Sequence, residues 1–291
     1  MALVSNKLTE NVPGDFFVDS SCIDCDACRQ IAPASFRDTG SQSVVYRQPD
    51  TADDVRRALM ALIACPTASI GITRKYDLKS AIECFPERID DNVYFCGFTS
   101  ESSFGAWSYL IVRTADQGGN VLVDSPRYNS HLVRKMATLG GVTRMFLTHK
   151  DDIADHAKFA GKFGCARVMH ALDGALALGM EEVIQGEGEV HLDPDLIAIP
   201  TPGHTRGHMA LLYKDKFLFT GDHLSWSPER QELRASCSTC WYSWPQQIRS
   251  MQRLLNYSFE WVLPGHRRIH NASKEEMRCL LEDCVHRMNE S

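Results

Sequence analysis

Hydrophobic and polar positions follow two successive patterns along the chain. Near the start, short apolar runs bounded by polar residues, "DFFVD" and "SVVYRQ", have the length of strands, and "TADDVRRALMALIA" has apolar positions at helical spacing with Thr51 placed to cap it. These predict a small α+β unit over residues 1–75. The next stretch, "TRKYDLKSAIECFPERIDDN", is charged and carries Pro86, and reads as a linker over residues 76–92. Over residues 93–291 strands and helices alternate. "WSYLIVR", "NVLVDS" and "TRMFLTH" read as strands, and "DIADHAKFAGKFG" as a helix closed by Gly164. Strands "ARVMHA", "LIAIPTPGH", "MALLYKD" and "KFLFTGDH" follow, and the helices "PQQIRSMQRLLN" and "KEEMRCLLEDCVHRM" flank a last strand in "FEWVLPGH". The expected large domain is a layered α/β arrangement with helices covering its sheets.

A length of 291 residues suits two domains. The net charge of -6 is spread over interspersed acids and bases, so no basic stripe marks a nucleic-acid partner. No apolar run approaches the roughly 18 to 20 residues that span a bilayer, and "MALVSNKLTE" has neither the apolar centre of a secretory signal nor the arginines of a transit peptide. The expectation is a chain without membrane association in a reducing compartment, the cytoplasm, or the plastid stroma if a transit peptide has been trimmed. Eleven cysteines, an odd number unevenly spaced, point to metal binding or redox work rather than a disulfide framework.

Three cysteines in "SSCIDCDACRQ", Cys22, Cys25 and Cys28, stand at C-x2-C-x2-C spacing, and Cys65 arrives later in "IACPTASI", followed by Pro66. Thiolates are the usual ligands of iron-sulfur clusters, and this spacing lets one tight loop supply three of them. The pattern, over residues 14 to 72, resembles the single-cluster bacterial-type ferredoxins. That resemblance implies one 4Fe-4S cluster, since the middle cysteine is present. Zinc ribbons, the alternative, pair two C-x2-C knuckles instead.

Five segments carry the chemistry of the large domain: "VLVDSP" with Asp124, "LTHKDDIADH" with His149, "PTPGHTRGH" with His204 and His208, "LFTGDH" with Asp222, and "VLPGH" with His266. Each follows an apolar strand, so the polar side chains collect where strands end, and imidazoles with carboxylates suit zinc, iron or manganese. The set resembles the metallo-β-lactamase superfamily, in its glyoxalase-II-like branch, and the resemblance implies an αβ/βα sandwich with metals in a groove at one edge of two sheets. It assigns His204, Asp222 and His266 to metal, Asp222 as the bridging ligand, and gives Asp124 a supporting role; His208 reads as another support. The family's H-x-H-x-D-H motif is altered to "THKDDIADH". One register places Asp151 at the second histidine; the other places Asp155 and His156 at the motif's end. A helix starting near Asp152 would set Asp152, Asp155 and His156 on one face. The candidate ligands are therefore His149, Asp151, Asp155, His156, His204, Asp222 and His266, with His149, His204 and Asp222 as the catalytic core, holding one or two zinc ions, or iron or manganese in their place.

The segment "SCSTCWYSW" adds Cys237 and Cys240, read as a redox pair, as half of a zinc site with Cys279 and Cys284, or as small apolar residues in a loop over the active-site groove; Trp241, Tyr242 and Trp244 are then expected to line the cleft. Cys84, Cys96 and Cys165 read as packing. The first functional reading is a metal-dependent hydrolase of an ester, thioester or lactone with an attached 4Fe-4S electron-transfer or redox-sensing domain. A second is a non-haem iron oxidoreductase, persulfide dioxygenase-like or diiron, supplied with electrons by the cluster, since His149, His204 and Asp222 make a two-histidine, one-carboxylate triad. A third is a non-enzymatic redox-sensing interaction protein. Expected partners are a small-molecule substrate and a redox partner protein.

Overall fold

The computed structural model describes residues 2–290. The chain divides into two compact units, Met1–Leu110 with Pro126–Gly140, and Ile111–Ser125 with Gly141–Ser291. In the first unit, strand Phe16–Val18 pairs antiparallel with Ile70–Ile72, and Phe36–Asp38 with Ser43–Val45. Buried Asn11 ties these pairs together: its amide donates to the Val18 carbonyl at 2.8 Å while its oxygen accepts from the Val18 and Val45 N–H groups, both at 3.0 Å. Helix Ala52–Ala64 begins where Thr51 Oγ1 accepts the Asp54 N–H at 3.1 Å. It turns Leu59, Met60 and Ala61 into the core and ends one residue before Cys65.

The charged stretch read as a linker is ordered instead. It carries helix Lys79–Ile82 and strand Glu87–Asp90, the latter paired antiparallel with Val93–Phe95. Its few apolar residues explain this. Ala81 and Phe85 are fully buried, and Phe85 packs edge-on against Phe95 and Phe98, while Glu87 pairs with Arg57 of the preceding helix. Helix Ser130–Thr138, capped by Asn129, was not evident from the pattern and closes the unit.

The second unit holds four parallel neighbours, Val121–Val123, Arg144–Phe146, Ala166–His170 and Glu182–Ile184. Their apolar side chains are almost all buried, as expected of parallel strands covered on both faces. A second sheet of six strands runs Val190–Asp193, Leu196–Pro200, Met209–Tyr213, Phe217–Gly221, Trp261–Pro264, His270–Asn271. Its pairs are antiparallel except Phe217–Gly221 with Trp261–Pro264. Helices Trp244–Leu254 and Lys274–Glu290 cover it, packing Met251, Leu254, Leu281 and Met288 with Leu212, Leu218 and Val262. The strand ends deliver Asp124, His149, Asp222 and His266 within a few residues of Val123, Phe146, Gly221 and Pro264. Among the described residues no helix is long and apolar enough to cross a membrane.

Candidate metal centres

In the first unit the cysteine loop turns through Asp24 and Asp26, both with positive φ, into helix Ala27–Ile31. Arg29, almost buried, holds the loop by pairing with Asp24 at 2.9 Å, Asp38 at 3.0 Å and Asp26. The thiols of Cys22, Cys25, Cys28 and Cys65 converge, and Cys65 disfavours ionisation of each of the other three. Burial, the larger cause, already pushes Cys22 up, Cys25 to about 12 and Cys28 well above the usual thiol range. Ionised without a metal, converging thiolates would repel one another; as ligands of iron the same convergence is satisfied. The Cys65 sulfur also accepts the Ser69 N–H at 3.3 Å, and Gln42 donates to the Cys22 carbonyl at 2.9 Å. These residues fit a cubane cluster.

Support for this loop comes from beyond residue 75. Thr99 Oγ1 donates to the Ala64 carbonyl at 2.6 Å and Arg127 Nη2 to the Ile63 carbonyl at 3.1 Å, so both satisfy the C-terminal carbonyls of the helix that leads into Cys65. Gly105, at φ +82, packs directly on Cys25; a Cβ there would stand 2.8 Å from the Cys25 sulfur.

In the second unit the strand ends gather two groups of ligand atoms. His149, His204 and Asp222 form one; Asp152, Asp222 and His266 form the other, and Asp222 belongs to both. Its Oδ2 lies 3.8 Å from His149 Nε2, 3.5 Å from His204 Nε2 and 3.7 Å from His266 Nε2. Asp152 Oδ1 stands 3.9 Å from His266 Nε2. His149 Nε2, Asp152 Oδ2 and Asp222 Oδ1 are buried without a hydrogen-bond partner. Such orphaned acceptors are expensive unless a cation completes them. Burial, then Asp222, Asp124 and Asp151, pushes the Asp152 carboxyl well above its ordinary range. Burial would do the same to Asp222, but His266, His149 and His204 outweigh it and hold Asp222 below. Carboxylates crowded beside imidazoles are a donor set that divalent cations fit.

Glycines make this crowding feasible. A Cβ on Gly265 would meet Asp152 Oδ2 at 2.6 Å and Asp222 Oδ1 at 2.9 Å, and one on Gly221 would meet His208 Nε2 at 2.6 Å and Thr148 Oγ1 at 2.7 Å. Behind His149 runs a short chain. Asp124 accepts Thr148 N–H at 2.8 Å and Thr148 Oγ1 at 3.0 Å, and that hydroxyl meets His149 Nδ1 at 3.0 Å. With Thr148 donating to Asp124, His149 carries its proton on Nδ1 and presents a bare Nε2. Burial pulls His149 down to about 4, which keeps it neutral. His208, fully buried, bonds Thr201 Oγ1 through Nδ1 at 2.9 Å and lies tilted against the His223 ring at 4.1 Å.

Asp151 lies at the rim, its Oδ2 3.6 Å from His204 Nε2 and 3.9 Å from His149 Nε2, and the neighbouring His204 imidazole holds its carboxyl below the usual range. Asp155 and His156 are not brought into either ligand group. The helix starts at His156, not near Asp152, with Asp155 at its cap, so the shared face never forms. The His156 ring meets Arg167 Nη1 at 3.2 Å and Asp155 pairs with Lys158 at 2.7 Å. The acid grouped with Asp222 and His266 is instead Asp152, which the sequence reading placed at the helix start without naming it a ligand. Among the described residues Cys237, Cys240, Cys279 and Cys284 form no metal-binding group; Cys284 is packed in the core beneath the helices.

Comparison with known proteins agrees with both halves of this description. Residues 18–72 match the family described as the 4Fe-4S single cluster domain of Ferredoxin I. Over 122 residues the chain is 30% identical to the hydroxyacylglutathione hydrolase of Rhizobium etli, a match covering 40% of this chain and 46% of that protein, so the chain spans about half the length of this curated relative. The structure is similar to the DIM-1 metallo-β-lactamase, with a TM-score of 0.51 at 20% identity over 68% of this chain and 96% of that one. It is also similar to a metallo-β-lactamase from Pontibacter korlensis, with a TM-score of 0.50 at 16% identity over 70% and 98% of the two chains. A single-cluster ferredoxin domain is thus joined to a metallo-β-lactamase fold in one chain.

Proposed function

We propose that this chain is a metal-dependent hydrolase of an ester, thioester or lactone, with its 4Fe-4S domain acting in electron transfer or redox sensing. The observation that carries the reading is the pair of ligand groups sharing Asp222. Metal ions held by His149, His204 and Asp222, and by Asp152, Asp222 and His266, supply Lewis acidity and an activated water when bound. The chain's own residues do the rest. The Asp124–Thr148 pair fixes the His149 tautomer. Asp151, ionised and with its side chain 44% exposed, accepts at Oδ2 the proton that the attacking water gives up. Trp241 and Tyr242, exposed beside His204, offer apolar surface to the substrate. The likeness to a hydroxyacylglutathione hydrolase supports a thioester among the three classes. The experiment is turnover by the anaerobically purified chain, loaded separately with zinc, iron or manganese, on hydroxyacylglutathione thioesters, aryl esters and lactones. Thioester cleavage that disappears in Asp222→Ala is expected. Full metal content with no turnover on any of the three classes would remove the reading.

A specific feature favours the oxidoreductase reading as the second choice. Two carboxylates, Asp152 and Asp222, accompany three histidines in the ligand groups, and oxygen ligands favour iron or manganese over an all-histidine zinc site. Iron in excess of the cluster's own, with dioxygen consumption that depends on a reductant, would move the weight there.

A further inference from the structure

Two cysteines of the second unit stand outside both metal-binding groups. Cys237 and Cys240 lie between strand Glu232–Arg234 and helix Trp244–Leu254. Residues Cys237–Thr239 form a 3-10 turn, closed by the Cys240 N–H donating to the Cys237 carbonyl at 3.1 Å. A turn closed this way keeps its end Cα atoms within about 7 Å. A disulfide needs roughly 4.4–6.8 Å. The Cα separation of such a turn overlaps that range, and the two thiols lie near enough for Cys237 to disfavour ionisation of Cys240.

Their exposure differs in a useful way. Cys237 is exposed, whereas Cys240 is half-buried with its thiol donating to the Gly203 carbonyl at 3.1 Å. That carbonyl also accepts the Ser243 N–H at 3.0 Å, so withdrawing the thiol leaves it satisfied. The turn leads straight into the metal centre: the Trp241 and Tyr242 N–H groups both donate to the carbonyl of His204, at 3.0 and 3.1 Å. The Trp241 ring lies 6.2 Å from the His204 ring.

We propose that Cys237 and Cys240 form a thiol–disulfide exchange site for small-molecule disulfides. Cys237, as thiolate, attacks one sulfur of a disulfide RSSR; the Cys237–S–R bond forms, the small molecule's S–S bond breaks, and one RSH leaves with the proton that Cys237 gave up. Cys240 then attacks the Cys237 sulfur, the Cys237–Cys240 bond forms, and the second RSH departs with the Cys240 proton. The protein loses two electrons and the small disulfide gains them; excess thiol runs the sequence backwards. Burial raises the Cys240 thiol above its ordinary range and keeps it protonated, so the exposed Cys237 sulfur is the one that meets the incoming disulfide first. Closing the bond stiffens the turn whose next two N–H groups hold the His204 carbonyl.

The test uses the full-length, metal-loaded chain under anaerobic conditions, equilibrated over a range of glutathione to glutathione-disulfide ratios, acid-quenched, alkylated and mapped by peptide mass spectrometry. Cluster absorbance is followed in the same samples, so that thiols released by cluster loss are recognised. A Cys237–Cys240 crosslink that forms at oxidising ratios and disappears with excess glutathione is expected, while exposed Cys279 stays open to alkylation. Cys240→Ser should stop with glutathione on Cys237, and Cys237→Ser should leave Cys240 free. The proposal is overturned if both cysteines alkylate fully at every ratio, or if glutathione settles on Cys279 as readily as on Cys237. Protection relieved by a chelator without reductant would assign a metal ion to the pair and overturn it as well.

Discussion

Asp222 contributes to both ligand groups, so its removal differs in kind from removal of any other ligand. Asp222→Ala should abolish metal binding in the second unit while the cluster's visible absorbance is retained; Asp152→Ala should cost mainly the ion shared with His266. His156→Ala should leave metal content unchanged, because its ring is engaged by Arg167. Thr148→Val removes the link between Asp124 and His149 and should weaken metal affinity about 10- to 100-fold, as losses behind a ligand do. Metal content after gel filtration reads all four. Asp151→Asn should leave the metal content of the second unit unchanged and lower turnover, since Asp151 lies outside both ligand groups and serves as the proton acceptor. His149, His204, Asp222 and His266 were legible in the sequence because each follows an apolar strand closely enough for the strand to fix its place. Asp152 was not. Whether the second or a later acid of "KDDIADH" faces the metals depends on where the helix begins, and that is set by a tight turn through Ala154, at φ +25, which composition does not reveal.

At the scale of elements, strand Ala166–His170 is clamped to the segment before Glu182–Ile184 by one ion pair. Arg167 donates through Nε and Nη2 to Glu181 at 2.9 and 2.7 Å, and its N–H reaches the same carboxylate at 2.8 Å. These bonds, the Arg167 side chain foremost, lower Glu181 from its ordinary 4.5 to about 2. A carboxylate depressed on folding stabilises the native state above its unfolded pKa, and the contribution is lost as pH falls through the folded value. Glu181→Gln should therefore lower stability at pH 7 by roughly 1 kcal/mol or less, the figure for a pair near the surface. The deficit should shrink as pH falls below 4.5 and vanish near 2, as denaturant midpoints across that range would show. Elements read from pattern alone were sound where apolar runs were long. The helix Lys79–Ile82 and strand Glu87–Asp90 escaped because only Ala81 and Phe85 are fully buried in a charged stretch, too few to set a period.

On the scale of the molecule, the cluster loop is completed from elsewhere in the chain. Arg127→Ala removes a carbonyl partner at the end of helix Ala52–Ala64, worth about 1 kcal/mol, and Gly105→Ala forces a carbon against the Cys25 sulfur. Both should bleach faster in air than the parent, Gly105→Ala more so, with metal content of the second unit unchanged. Cys25→Ala should lose or convert the cluster outright.

The same arrangement sets an order of events during synthesis. The four cysteines have all been made once Cys65 leaves the ribosome, but the groups that close the helix before it, Thr99 and Arg127, and the glycine that covers Cys25, come later in the chain. At about 5–20 residues per second the interval from Cys65 to Arg127 lasts some seconds. During that interval the cysteine loop is complete in sequence and uncovered in structure. A loop loaded within that interval takes its cluster before Thr99, Gly105 and Arg127 have taken their places beside it.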